Sequence, residues 1–180
     1  HSTYSTFLKL IDNEINNFKD GKPARIRMKL NSITNYKIID KLYQASTSGV
    51  KIDLIVRGVC CLIPGINGLS ENIRVISVID KFLEHSRIYI FENSGNKKIY
   101  LSSSDLMTRS FDNRVEVTFP IYCKNLQNQI IDTYNISWTD NVKARLINTD
   151  SQNIFVSNNN EKNRSQEVTF NYYNKDFYQK

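Results

Sequence analysis

The stretch "ARIRMKLNSITNYKIIDKLYQASTSGVKIDLIVRG", residues 24–58, decides the fold. Its opening residues alternate, Ile26, Met28 and Leu30 falling between Arg25, Arg27 and Lys29, which is the period-two signature of a strand half in water. Asn35 then stands where a helix needs a cap. Behind it, "YKIIDKLYQASTSG" carries a stripe of Tyr36, Ile39, Leu42 and Tyr43, with Gly49 at its far end. "VKIDLIVRG" follows as a second strand. Strand, helix and strand over residues 24–58 make a βαβ unit, whose crossover sets the two strands parallel and adjacent. Ligands of such sheets sit beyond the carboxyl ends of the strands, and Arg57 and Gly58 lie at that end.

Upstream, "STFLKLIDNEINNFKDGKP" predicts an amphipathic helix capped by Ser5 or Thr6, with Phe7, Leu8, Ile11, Ile15 and Phe18 at helical spacing and Gly21 and Pro23 as stop signals. Downstream, residues 58–72 mix apolar residues with Pro64, Gly65 and Gly68 and read as a structured loop over the sheet. "IRVIS" is a short strand, and "VIDKFLE" predicts a helical turn or two. "SRIYIFENSGNKKIYLSSSD" reads as a hairpin, with Ile88, Ile90, Ile99 and Leu101 alternating on its arms and Asn93 to Asn96 in the turn. "RVEVTFPIY", from Arg114, is a further strand ended by Pro120, and "CKNLQNQIIDTYN" is a helix with Leu126, Ile130 and Ile131 on one side. "WTDNVKARLIN" gives mixed signals. The Asn- and Ser-rich remainder makes residues 150–180 a partly irregular tail.

A chain of 180 residues, 40% hydrophobic, fits one domain with a single core. Its 24 Lys and Arg against 18 Asp and Glu give a net charge of +6, which favours anionic partners: nucleic acid, phosphates or acidic lipid. Charge alone does not choose among them. The three cysteines, Cys60, Cys61 and Cys123, form no disulfide framework and no zinc-ligand spacing, so the vicinal pair reads as packing under the loop in a reducing cytoplasm. No apolar run approaches the ~20 residues of a membrane span, and no charged-then-apolar leader opens the chain. Without an initiating methionine, it reads as a piece of a longer protein.

His85 is the only histidine besides His1. At i and i+2 of an emerging strand, His85 and Arg87 share a face, so that imidazole and guanidinium converge on one anion. Neutral imidazole can attack phosphorus or shuttle a proton while a fixed cation holds the non-bridging oxygens. "LSSSD" brings Ser102, Ser103, Ser104 and Asp105 back alongside. The bland readings stand beside these: a structural histidine, a surface ion pair at Arg57, and no legible partner for Asp53 or Glu84. The arrangement resembles the phospholipase D superfamily, whose half-site is His-x-Lys on one strand and a small-residue, Ser or Asn cluster on the next. Here Arg87 replaces the lysine and offers a flat bidentate fork suited to phosphate.

Taken together, "GKPARIRMKLNSI", "GVKIDLIVRGVCCLIPGINGLSENIRVISVIDKFLEHSRIYIFENSG" and "IYLSSSDLMTRSFDNRVEVTFPI" resemble the C-terminal part of bacterial polyphosphate kinase, the large ATP-dependent type. The resemblance runs from about residue 7 to 147 and includes the later "NRSQE". It implies an α/β fold, a mixed β-sheet flanked by helices that forms a phospholipase D-like half, with residues 1–180 as the single C-terminal catalytic domain of a larger enzyme. It implies reversible transfer of the terminal phosphate of ATP to polyphosphate through a phosphohistidine in the preceding domain. His85 matches the family's second essential histidine, with a proton-transfer or phosphate-stabilising role, and Arg57 matches an arginine that grips the phosphates of ATP. Arg87 is carried as a phosphate-binding residue on chemical grounds, and Arg114, which begins a strand matched by the resemblance, as one facing the same anionic tunnel. Mg2+ is implied, with ligands mainly in the preceding domain and none assigned here. The implied partners are ATP, ADP and inorganic polyphosphate, not nucleic acid, in a cytoplasmic homo-oligomer. By itself the domain is expected to be inactive. The alternatives are a phospholipase D-like nuclease or phosphodiesterase active as a dimer, and a non-catalytic polyanion-binding module.

Overall fold

In the computed structural model, which describes residues 3–150 and 153–177, α1 (Thr3–Lys19) leads into β1 (Arg25–Leu30), α2 (Tyr36–Thr47) and β2 (Lys51–Val56). The βαβ unit forms as its pattern predicts, with β1 and β2 parallel and Leu30 opposite Val56 at their carboxyl ends. Asn35 caps α2 by accepting the N–H of Ile38 at 3.1 Å. β3 (Ile73–Val78) lies parallel to β2. β4 (Ile88–Phe91) and β5 (Lys98–Ser102) form the expected hairpin, with Ile88 opposite Leu101 and Ile90 opposite Ile99. Beyond α3 (Thr108–Asp112) come β6 (Thr118–Pro120), α4 (Lys124–Trp138), β7 (Ala144–Ile147) and α5 (Ser165–Phe177). The sheet order is β6-β5-β4-β1-β2-β3-β7, a mixed sheet of seven strands.

Period-two alternation sorts each strand between two layers. Ile26, Met28, Leu30, Ile52, Leu54, Val56, Tyr89 and Phe91 face α1 and α2. Ile55, Ile76, Val78, Ile88, Ile90 and Ile99 face α4, where Tyr134 is buried. Helices on both sides explain why β1 is not half in water. Arg27 and Lys29 are both buried, each 7% exposed. Arg27 lies under the ring of Tyr134, and Lys29 donates to Ser137 of α4 at 2.9 Å.

Other expectations are corrected by packing. α1 begins at Thr3, so Ser5 and Thr6 are inside the helix; Tyr4 in its first turn packs against Phe111, ring centroids 5.2 Å apart. The buried stripe of α2 is Ile38, Ile39, Leu42 and Ala45, with Tyr36 turned to solvent. Gly49 has φ +101 and carries Phe18 where a Cβ would stand, 2.3 Å from its ring, so only glycine ends this helix. "VIDKFLE" forms no helix after β3. The strand expected from Arg114 shrinks to Thr118–Pro120. "WTDNVKARLIN" contains β7, which pairs antiparallel with β3. Of the tail expected to be partly irregular, residues 153–164 form no helix, whereas Ser165–Phe177 is helical; residues 151, 152 and 178–180 of it, like His1, lie outside the described residues. Cys60 packs against the core, and burial pushes its thiol up to about 11, whereas Cys61 is exposed. Among the described residues, no helix is long and apolar enough to cross a membrane.

Candidate phosphate site

Four strand termini meet at one end of the sheet. β1 and β2 arrive there by their carboxyl ends, β4 by its amino end and β5 by its carboxyl end, because β4 runs antiparallel to β1 and β5 antiparallel to β4. The residues just past those termini are Asn31 and Ser32, Arg57 and Gly58, His85 to Arg87, and Ser103 to Asp105. This is the strand-end position where ligands of open sheets sit.

Hydrogen bonds join them into one chain of contacts. Arg57 Nε donates to Asn31 Oδ1 at 2.5 Å. Asn31 Nδ2 donates to Asp105 Oδ2 at 3.1 Å, and its backbone N–H to Asp105 Oδ1 at 2.7 Å. Asp105 also accepts Arg87, from Nε at 3.4 Å and from Nη2 at 3.1 Å. Arg87 Nη1 in turn lies 2.7 Å from His85 Nδ1 and 3.0 Å from His85 O. His85 and Arg87 therefore meet through a direct contact. They precede β4, so strand alternation does not place them, and the contacts of Arg87 Nη1 with the ring and the carbonyl of His85 join them instead.

The electrostatics follow from what each group touches. Burial opposes the charge on Asp105, but Arg87, the Asn31 amide and the backbone N–H groups of Asn31 and Ser32 outweigh it and hold this carboxyl below its ordinary range. Asp105 is a fixed anion among donors, with both oxygens engaged. Arg57 is half-buried, forms no salt bridge among the described residues, and leaves Nη1 and Nη2 without hydrogen-bond partners there. His85 is exposed, and its Nε2 likewise has no partner among the described residues. The arrangement thus leaves the imidazole Nε2 and the free end of a guanidinium open, while its carboxylate is taken up by N–H donors.

Gly58 explains how Arg57 comes so close to Asn31. A Cβ there would lie 2.9 Å from both Asn31 O and Ser32 Oγ, and the Gly58 N–H donates to Asn31 O at 2.7 Å. The hydroxyls of "LSSSD" turn elsewhere: Ser102 to Thr118, Ser103 to Glu116, and Ser104 to Asp105 O. Arg114 is exposed between α3 and β6, outside the chain of contacts, with no hydrogen bond or ion pair among the described residues.

The segment carrying His85 is itself braced. Glu84 pairs with buried Lys29, Asp80 accepts Nε–H and Nη2–H of Arg164 at 2.8 and 2.7 Å, and Gln166 bonds the Phe82 backbone in both directions. Sequence reasoning missed Asn31, Asp80 and Gln166. Asn31 had a signal, since it follows β1 as Arg57 follows β2; the other two had none, because their partners lie 84 residues apart. No group of three or more His, Cys, Asp or Glu among the described residues is placed to hold a metal ion. With the oxygens of Asp105 turned to N–H donors, this end of the sheet does not fit a magnesium ion.

The family model described as polyphosphate kinase C-terminal domain 2 matches residues 1–166. A polyphosphate kinase of Vibrio parahaemolyticus is 49% identical over 165 residues, covering 91% of this chain and 24% of that protein. The crystal structure of polyphosphate kinase from Porphyromonas gingivalis superposes with a TM-score of 0.95 at 38% identity, covering 99% of this chain and 28% of that one. A phospholipase D family member from Salmonella typhimurium shares the fold at 16% identity, with a TM-score of 0.58 over 81% of this chain and 91% of that one. The chain spans about a quarter of the length of the curated relatives it matches.

Proposed function

The chain belongs to the polyphosphate kinase family, as its C-terminal domain 2, and from that membership we propose that it forms one wall of a site that moves the terminal phosphate of ATP reversibly onto inorganic polyphosphate. In this reading the opposite wall belongs to the rest of a longer polypeptide, which supplies the nucleophilic histidine. Its ring nitrogen bonds to the γ-phosphorus as the bond to the β–γ bridging oxygen breaks and ADP leaves. The terminal oxygen of a polyphosphate chain then takes the phosphoryl group as the nitrogen–phosphorus bond breaks.

This chain's residues bind and neutralise. Phosphoryl transfer through a loose transition state spreads charge over the equatorial oxygens, and the protein contributes chiefly position and fixed cations. Arg57 Nη1 and Nη2 grip phosphate oxygens, His85 Nε2 faces the oxygens of the transferring group, Arg87 stands behind the imidazole, and Arg114 draws the polyanion along the rim. Magnesium, where the reaction uses it, is held by the rest of the polypeptide. A reaction drawing on ATP belongs to the cytoplasm, which suits three free cysteines, and a homo-oligomeric full-length enzyme is part of the same reading.

The observation that supports this most directly is the continuous line of contacts from Arg57 through Asn31, Asp105 and Arg87 to an exposed His85. The test uses the full-length enzyme. His85→Ala should abolish polyphosphate synthesis, and Arg57→Ala should raise KM for ATP. The 180-residue chain alone, given labelled ATP and magnesium, should acquire no acid-labile label. Label on His85 at a useful rate, or full turnover by the His85→Ala enzyme, would refute the assignment.

A further inference from the structure

A guanidinium carries donors only. The 2.7 Å contact between Arg87 Nη1 and His85 Nδ1 therefore has one sense, with Nη1–H donating and the Nδ1 lone pair accepting. An imidazole whose Nδ1 accepts a hydrogen bond carries its ring proton on Nε2. The second Nη1–H donates to His85 O at 3.0 Å, so that one nitrogen of Arg87 holds both the ring and the backbone of His85. The other edge of the fork is held by Asp105, through Nε at 3.4 Å and Nη2 at 3.1 Å. Of the five N–H donors on Arg87, one remains uncommitted. Asp105 is itself fixed by Asn31 and Ser32 at the carboxyl end of β1.

We propose that Arg87 and Asp105 are positioning residues that lock His85 as its Nε2–H tautomer, a hydrogen-bond donor presented to a phosphate oxygen rather than a base that removes a proton through Nε2. The identity of that acceptor as a phosphate rests on the functional reading given above; the tautomer does not. This assignment gives the Arg-for-Lys replacement in "HSR" a physical reason. A lysine has one donor centre, and it could not hold Asp105 by a fork while giving two further hydrogen bonds to the histidine.

The chain is well suited to the test because it has two histidines. Long-range proton–nitrogen NMR correlation on 15N-histidine-labelled protein at alkaline pH, with His1→Ala to assign the signals, reports which ring nitrogen carries the proton. The expected result is an unprotonated Nδ1 and a protonated Nε2 at His85. An Nδ1–H tautomer, or a fast average of the two forms, would overturn the proposal, and this measurement needs no substitution at the site. Arg87→Lys should convert the fixed tautomer into an average; an unchanged spectrum would count against the lock.

In the full-length enzyme, Arg87→Lys should lower kcat about tenfold or more while KM for ATP stays within about twofold, the pattern of an interaction realised in the transition state. A rise in KM with kcat preserved would make Arg87 a phosphate ligand and overturn the positioning role. If instead the His85→Ala enzyme retains full turnover, the phosphate-site reading fails while the tautomer result stands, so the two ideas fail separately.

Discussion

His85 sits on a segment with no secondary structure of its own, between the end of β3 at Val78 and the start of β4 at Ile88. Its order must come from side-chain braces, and Gln166 is the one that can be removed most cleanly. Its Oε1 accepts the Phe82 N–H at 2.9 Å, and its Nε2 donates to Phe82 O at 2.8 Å and to Glu84 Oε1 at 3.1 Å. Gln166→Ala deletes all three. Two of these bonds are exposed, so that water replaces them at about 0.5 kcal/mol each, and the half-buried bond to Glu84 is worth about 1 kcal/mol. The loss of about 2 kcal/mol falls on local opening of the segment and not on global unfolding, because Arg164 still holds Asp80 and every strand is intact.

That free energy corresponds to about a thirtyfold change in the opening equilibrium. Native-state hydrogen exchange reads it directly, since the Phe82 amide is itself a donor in the brace. Its exchange should quicken about thirtyfold in Gln166→Ala, while the amide of Leu54 in β2 keeps its parent rate. Two results would refute the reasoning. One is a Phe82 amide that is already unprotected in the parent. The other is a Leu54 amide that accelerates in step with Phe82, which would make the brace part of global stability.

Gly58→Ala places a Cβ 2.9 Å from Asn31 O and Ser32 Oγ, and because the first of these is backbone the strand ends must separate. A loss of about 1–3 kcal/mol in denaturant unfolding is expected, and a melt unchanged from the parent would contradict the close approach. Asp140 is fully buried; burial opposes its charge, but the N–H groups of Lys143, Ser165 and Val142 outweigh it and hold its carboxyl below the ordinary range. A depressed carboxyl contributes stability above its unfolded pKa and loses it as pH falls through the folded value. Asp140→Asn should therefore cost about 1–3 kcal/mol near neutral pH, with parent and variant converging in acid; a pH-independent gap would show that the charge is irrelevant.

The βαβ unit was legible because its two periods, two for the strands and the helical spacing between them, change at recognisable signals: Asn35 caps the helix and Gly49 ends it. The environment of β1 was not legible. Alternating charges usually mark a wet face, and only α4 arriving across β1 shows that Arg27 and Lys29 are buried against Tyr134 and Ser137. "VIDKFLE" has helix-forming residues, yet Gln166 and Arg164 bind it from 84 residues away in a bent, non-helical course. α5 was hidden by Asn- and Ser-rich surroundings because its first N–H, that of Ser165, is satisfied from afar, by Asp140 at 2.8 Å.

The site divides along the same line. Arg57 and His85 each stand just outside a strand terminus, where sequence rules direct attention, whereas the Asn31–Asp105 junction that couples them spans 74 residues. What the junction adds is a selection among cations. Lys29 is answered by Glu84 and Arg87 by Asp105, so those two positive charges are largely neutralised where they stand and serve to hold the backbone. Arg57 is answered only by the neutral amide oxygen of Asn31. A basic excess of +6 over the whole chain would attract an anion without placing it. In the proposed reading, a guanidinium oriented through Nε and open at Nη1 and Nη2 gives the anion a position, and the line of contacts running on to His85 sets where the imidazole stands relative to it.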